Sequence, residues 1–258
     1  MDLKLKGKTA IVTGGSAGIG LAIVQALTAE GVSVTVPGRN KTKLDKSLAG
    51  LSNVSTVTAD VATAEGAQSL IQQLPDTDIL INNLGIYEPK AFTDITDADW
   101  LNIFEANVLS GVRLSRHYFP GMLKRNDGRV IFISSESGVM TPAEMIHYGV
   151  TKSSQLAISR GLAELTKGTA VTVNTVLPGP TRSEGIVEFL EKISSTPNPT
   201  PEQAEREFFE KHRSSSLLQR LIESKEIADL VAFLASPLSS ATNGAALRAE
   251  GGLLRSIV

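Results

Sequence analysis

The 258-residue chain contains no cysteine, which excludes disulfides, thiolate nucleophiles and cysteine metal sites and suits a reducing compartment, by default the cytoplasm. Histidine is scarce as well. His117, His147 and His212 stand far apart and give a metal centre little to build on. His147 adjoins the most reactive-looking stretch of the chain, but beside Tyr148 on a helix it points elsewhere and reads as a packing or surface residue. Charge of one sign is lacking too: a formal net charge of −2 and a pI near 6.0 provide no basic field for nucleic acid or anionic lipid. No apolar run approaches the ~18 residues of a membrane span, and residues 1–8 lack the apolar core of a signal peptide. Neither nucleic acid nor membrane is an expected partner.

What is present is ordinary for a globular α/β protein, with 41% hydrophobic and 20% charged residues. The length suits one domain with a full core. Short β-rich runs at 9–13, 32–36, 54–59, 78–81, 130–133 and 170–177 alternate with helix-period segments. That alternation predicts a doubly wound parallel sheet with right-handed crossovers. A long helix is expected over 95–114, with Trp100, Phe104, Ala106, Val108 and Leu114 at core spacing, and an amphipathic one over 225–234.

The first strand runs directly into Thr13-Gly14-Gly15-Ser16-Ala17-Gly18-Ile19-Gly20 and then a helical pattern. Missing side chains let a backbone approach a pyrophosphate, whose charge sits well at a helix N-terminus. After the second strand the chain reads Pro37-Gly38-Arg39-Asn40. A carboxylate there would bind a ribose hydroxyl. Arg39 instead offers a fork of donors to a 2′-phosphate, which favours NADP(H), with NAD(H) as the lesser alternative.

The stretch from Ser135 to Lys152 brings a hydroxyl, a phenol and an ammonium toward one volume. Tyr148 and Lys152 are four apart in a helical pattern and share a face. Moving a phenol from its usual pKa of ~10 to near neutrality requires roughly 4 kcal/mol. A cation about 4 Å away at an effective dielectric of ~20 is worth about that much before desolvation. Ser135 stands thirteen positions before Tyr148, at the end of an apolar strand, where open α/β sheets bind ligands. Ser134 is the alternative hydroxyl.

Together with Asn82-Asn83-Leu84-Gly85 and Leu177-Pro178-Gly179-Pro180-Thr181, these motifs in this order resemble the short-chain dehydrogenase/reductase family over nearly the whole chain. The resemblance implies a single-domain Rossmann-like sheet of about seven strands. It implies a catalytic set of Asn107, Ser135, Tyr148 and Lys152, in which Asn107 kinks its helix and holds a water beside the lysine. It assigns the cofactor to Thr13, Gly14, Ser16, Gly18, Ile19 and Gly20, to Asp60 and Val61 at the adenine, and to Asn82 and Gly85. Tyr148 and Lys152 would touch the nicotinamide end, with Pro178, Gly179, Thr181 and Ser183 fixing the carboxamide. Ala17, Leu84 and Glu250 depart from the commoner family residues. The activity implied is NADP(H)-dependent interconversion of a small carbonyl compound and a secondary alcohol. The Ser/Thr/Pro-broken region 184–216 is expected to be a mobile substrate lid. The family expectation is a homotetramer, or else a homodimer, and the apolar tail 253–258 suggests a subunit contact. Two rivals remain at this point: a catalytically idle nucleotide-binding regulatory or scaffold protein, and a sugar-nucleotide epimerase or dehydratase.

Overall fold

Seven strands pair in parallel in the order β3-β2-β1-β4-β5-β6-β7, in a computed structural model that describes residues 1–257, the side chains of Glu184 and Glu188 apart. They are β1 (Thr9–Val12), β2 (Ser33–Gly38), β3 (Val54–Thr58), β4 (Ile79–Asn82), β5 (Arg129–Ile133), β6 (Thr172–Pro178) and β7 (Ala246–Ala249). The order reverses between β1 and β4, whose registers pair Ala10 with Ile79 and Val12 with Ile81. A crevice opens there beyond the carboxyl ends of the strands. The doubly wound sheet expected from the sequence is the fold of the protein.

Helices α1 (Gly18–Ala29), α2 (Lys41–Ser47), α3 (Ala64–Gln73), α4 (Asp97–Phe104), α5 (Ser110–Arg125), α6 (Ile146–Glu164), α7 (Glu184–Ile193), α8 (Pro201–Lys211) and α9 (Ser224–Ala235) connect the strands. Ile23, Val24 and Leu27 of α1 pack with Ile227, Val231 and Leu234 of α9 on one face of the sheet. Leu70, Leu114, Tyr118 and Met122 cover the other, so the strands are apolar on both sides as buried parallel strands must be. Among the described residues no helix is long and apolar enough to cross a membrane.

Three expectations need correction. The single helix over 95–114 is instead α4, a π-helical turn at Glu105–Leu109 and α5, which continues to Arg125. The buried Asn107 side chain spends its hydrogen bonds outside the helix, and the widened turn lies where it does so. The start of α4 is fixed by a capping box between Thr96 and Asp99. A further helix, α2, was not anticipated; Asn40 caps it by accepting from Lys43 N at 2.9 Å. Finally, the tail does not wait for a partner subunit at its start. Leu253 and Leu254 are buried in their own chain, where Glu250 Oε2 accepts from Leu254 N and Arg248 donates to the Leu254 carbonyl. Ile257 is exposed, and Val258 lies outside the described residues.

Region 184–216 folds as α7 and α8 around a small core of Leu190, Ala204, Phe208 and Phe209, joined by Leu221. Thr200 and Gln203 form the expected capping box at the start of α8.

Candidate active site

The turn after β1 is shaped by what its residues lack. A Cβ on Gly20 would stand 2.2 Å from the Gly14 carbonyl oxygen, and Gly14 and Gly18 hold φ of +65° and +50°. Only glycine allows that close, left-handed path. Ala17, the N-cap of α1, supplies no side-chain hydrogen bond, so the helix presents its first N–H groups to the crevice. Ser16 and Ile19 lie half-buried on the same turn. Thr13 Oγ1 accepts from Asn83 N and Leu84 N at 2.9 Å each, and Asn83 Nδ2 donates to the Thr13 carbonyl. Thr13 thus ties the turn to the end of β4. Asn83, which the sequence reading passed over, does more here than Asn82, whose amide donates to Ser115 of α5.

Arg39, just beyond β2, has a side chain 80% exposed, with Asp60 the acid beside it among the described residues, Nε to Oδ2 at 3.9 Å. Asp60 also accepts from Ala62 N. Val61 is buried against the sheet. Across the crevice, Gly179 packs on the backbone of Glu250, where a Cβ would meet the Glu250 Cα at 2.8 Å. Pro178 ends β6, Thr181 Oγ1 donates to the Gly179 carbonyl, and Ser183 caps α7. The loops after β1 and β6 converge: a Cβ on Gly18 would come within 4.0 Å of Ser183 Cβ. A glycine cradle with uncapped helix donors, a nearby exposed guanidinium and a facing Thr/Ser loop fit a phosphorylated dinucleotide.

Ser135, Tyr148 and Lys152 come together between β5 and α6. Lys152 Nζ donates to the Ile133 carbonyl at 2.9 Å and to Gln155 Oε1 at 3.3 Å, and sits 5.6 Å from the centre of the Tyr148 ring. Gly85 completes the volume, since a Cβ there would be 3.5 Å from both Lys152 Nζ and Asn107 Oδ1. Ser134 turns away, donating to the Lys152 carbonyl at 2.8 Å. Asn107 donates to the Ile86 carbonyl and Thr151 Oγ1, and its own carbonyl accepts from Gln155 Nε2 at 2.6 Å. Gln155 therefore bridges the Asn107 main-chain carbonyl and Lys152. His147 is buried edge-on against Trp100, a packing role.

The electrostatics differ from the simple cation-beside-phenol expectation. Burial lowers the Lys152 pKa to about 8, with the negative charge of Glu136 pulling it back up. Tyr148 is partly exposed as a residue, yet its pKa lies above the ordinary phenol value. Burial of the hydroxyl is the main cause, followed by Glu136; the Ser135 hydroxyl works the other way. Desolvation wins because the ammonium is drawn to the Ile133 carbonyl. Tyr87 meets the Tyr148 ring edge-on at 6.2 Å. Glu136, Gln155 and Tyr87 were all missed from the sequence. Gln155 had a signal, an amide three residues after Lys152 on the same face. Glu136 had another, being the one charged residue between Arg129 and Glu144.

Comparison with known proteins identifies the family. The family model for short chain dehydrogenase matches residues 8–193. An uncharacterized oxidoreductase of Bacillus subtilis, YvaG, is 49% identical with all of both chains covered. The 3-oxoacyl-[acyl-carrier-protein] reductase FabG of Vibrio cholerae is 30% identical over 97% of this chain and 99% of its own. The L-sorbose reductase of Gluconobacter frateurii, solved with NADPH and L-sorbose, superposes with a TM-score of 0.92 at 27% identity, with both chains fully covered. The chain belongs to the short-chain dehydrogenase family, a family of oxidoreductases.

Proposed function

We propose that the protein is an NADP(H)-dependent oxidoreductase that interconverts a small carbonyl compound and a secondary alcohol, with Tyr148 as general acid and base. The observation that carries this reading is the convergence of Ser135, Tyr148 and Lys152 next to Gly85, at the open end of a crevice whose other wall is the glycine turn. The bound cofactor supplies or receives the hydride. Ser135 donates a hydrogen bond to the carbonyl oxygen, and Tyr148 gives its proton to that oxygen as negative charge develops. Oxidation runs the same steps in reverse. Lys152 carries a positive charge below its pKa of about 8 and holds the nicotinamide ribose hydroxyls, while Asn107 and Gln155 keep it in place. Tyr148, Lys152, Pro178, Gly179, Thr181 and Ser183 hold the nicotinamide end. Thr13, Gly14, Ser16, Gly18, Ile19 and Gly20 hold the pyrophosphate. Asp60 and Val61 meet the adenine, with Asn82 and Gly85 supporting the floor of the crevice.

Arg39 favours NADPH over NADH, because an exposed guanidinium with one acid at 3.9 Å has donors left for a 2′-phosphate. NADPH in the L-sorbose reductase neighbour supports the same preference. Region 184–216 acts as a lid over the substrate; the apolar core of α7 and α8 lets it move as a unit. A cytoplasmic homotetramer or homodimer is part of the proposal, and exposed Leu101 and Phe104 on α4 support a contact between copies. The experiment is a fluorescence titration with NADPH and NADH, followed by turnover on ketones, quinones, keto sugars and 3-oxoacyl thioesters. Tight NADPH binding with turnover is expected. Binding without turnover on every compound would contradict the catalytic reading.

A further inference from the structure

Glu136 is 7% exposed and lies beside the hydroxyl that the proposed reaction needs. Burying a carboxyl costs far more than burying an apolar residue of the same size. The hydrogen bonds at Ser135 Oγ indicate what it does there. A hydroxyl has one proton to give and two lone pairs with which to accept. Ser135 Oγ accepts from Ser137 N at 3.1 Å and gives its proton to Glu136 Oε2. In that state the proton meant for the substrate oxygen is already committed. With a proton on the carboxyl the polarity reverses: Glu136 donates, Ser135 Oγ accepts from both neighbours, and the Ser135 proton is left for the substrate.

We propose that Glu136 is a positioning residue that arms Ser135, donating to its oxygen when protonated and taking its proton when ionised, an inference that rests on the carbonyl-reductase reading above. The groups around Glu136 set the balance. From α6 come Tyr148 and Lys152, from its own turn Ser135 and Ser137, and from the segment just past α8 Arg213, which also meets Glu144 at 3.5 Å. Arg213 Nε is buried with no hydrogen-bond partner among the described residues. Burial holds the carboxyl above the ordinary carboxylate range, against the pull of Ser135 and of the Arg213 charge. A protonated Glu136 also removes the negative charge that raises the Tyr148 pKa, so one proton prepares both catalytic hydroxyls. Because Arg213 adjoins the lid helices, seating of that segment tunes the proton affinity of Glu136.

The test uses the full chain. Carbon NMR of the Glu136 carboxyl, assigned by its loss in Glu136→Gln, gives the titration midpoint, and Arg213→Met moves that midpoint upward. NADPH oxidation is then followed across pH with L-sorbose and a 3-oxoacyl thioester as carbonyl probes. Glu136→Ala lowers kcat roughly tenfold, the scale of one lost positioning hydrogen bond, with little change in NADPH affinity. Glu136→Gln, whose amide donates to Ser135 Oγ as the acid does, restores most of the loss. It also removes the fall in wild-type turnover as pH rises through the Glu136 midpoint, leaving the fall that follows Lys152 deprotonation. Equal kcat and pH profiles for the Gln and Ala variants, or a Glu136 midpoint in the ordinary carboxylate range, would overturn the inference while leaving the reductase reading intact. A wild-type protein that binds NADPH but turns over no carbonyl compound sinks both.

Discussion

The two walls of the crevice are made of opposite materials. Beside β1 and β2 the wall is glycine, main chain and one exposed guanidinium, and its function depends on side chains that are missing. Beside β5 and α6 it is buried ionisable groups, Glu136, Tyr148 and Lys152, whose burial moves their proton affinities. The first wall is sensitive to volume and the second to charge. A cofactor common to many enzymes can be held by close backbone approach, main-chain donors and one guanidinium, whereas proton transfer requires groups taken partly out of water.

Substitutions can break that contrast. On the first wall the largest effect falls at Gly20. An alanine there must displace the Gly14 carbonyl and Asn83 Nδ2, and should weaken NADPH binding about a hundredfold by fluorescence titration, with the circular dichroism spectrum retained. Near-normal binding would mean that the turn is looser than its glycines imply.

On the second wall, Lys152→Met should raise the stability of the cofactor-free protein while abolishing efficient turnover. The folded pKa of Lys152 is about 8 against 10.5 for an ordinary lysine. Between those values the unfolded chain binds the proton that the folded chain has released, so stability rises with pH across the window, and below it the protein carries the full cost. That cost is about 3 kcal/mol. Losing the hydrogen bonds to the Ile133 carbonyl and Gln155 Oε1 offsets about 1 kcal/mol each, which leaves a net gain of about 1 kcal/mol in urea unfolding at neutral pH. A loss of stability would show that Lys152 is not strained by burial. The smallest effect sharpens the first wall: Arg39→Ala should weaken NADPH roughly tenfold and leave NADH within about twofold.

The two walls were not equally legible in the sequence. Glycines at fixed spacing after a β-rich run report a backbone path directly, so Gly14, Gly18 and Gly20 could be placed from their numbers. Six of the seven strands were legible for the same local reason, since apolar runs bounded by turn residues predict buried strands, while β7 was expected only from the family resemblance. Asn83 escaped because its partners, the Thr13 and Gly14 carbonyls, belong to a different strand end. Ser135, Tyr148 and Lys152 were legible as a pattern, but the direction of the Tyr148 pKa was not. It is decided by enclosure and then by Glu136, which come together only once the turn after β5 folds against α6. The π-helical turn at Asn107 was expected only as a kink that the family resemblance implies, because its hydrogen bonds go to Ile86 and Thr151 in other segments.

The most direct test of the central claim is Tyr148→Phe, with NADPH affinity and carbonyl-dependent NADPH oxidation measured on the same sample. The account predicts binding close to wild type and turnover reduced by at least about a thousandfold, because the ring still packs on Tyr87 but no proton reaches the substrate oxygen. Turnover within a few-fold of wild type would remove Tyr148 from the role of general acid and contradict the account.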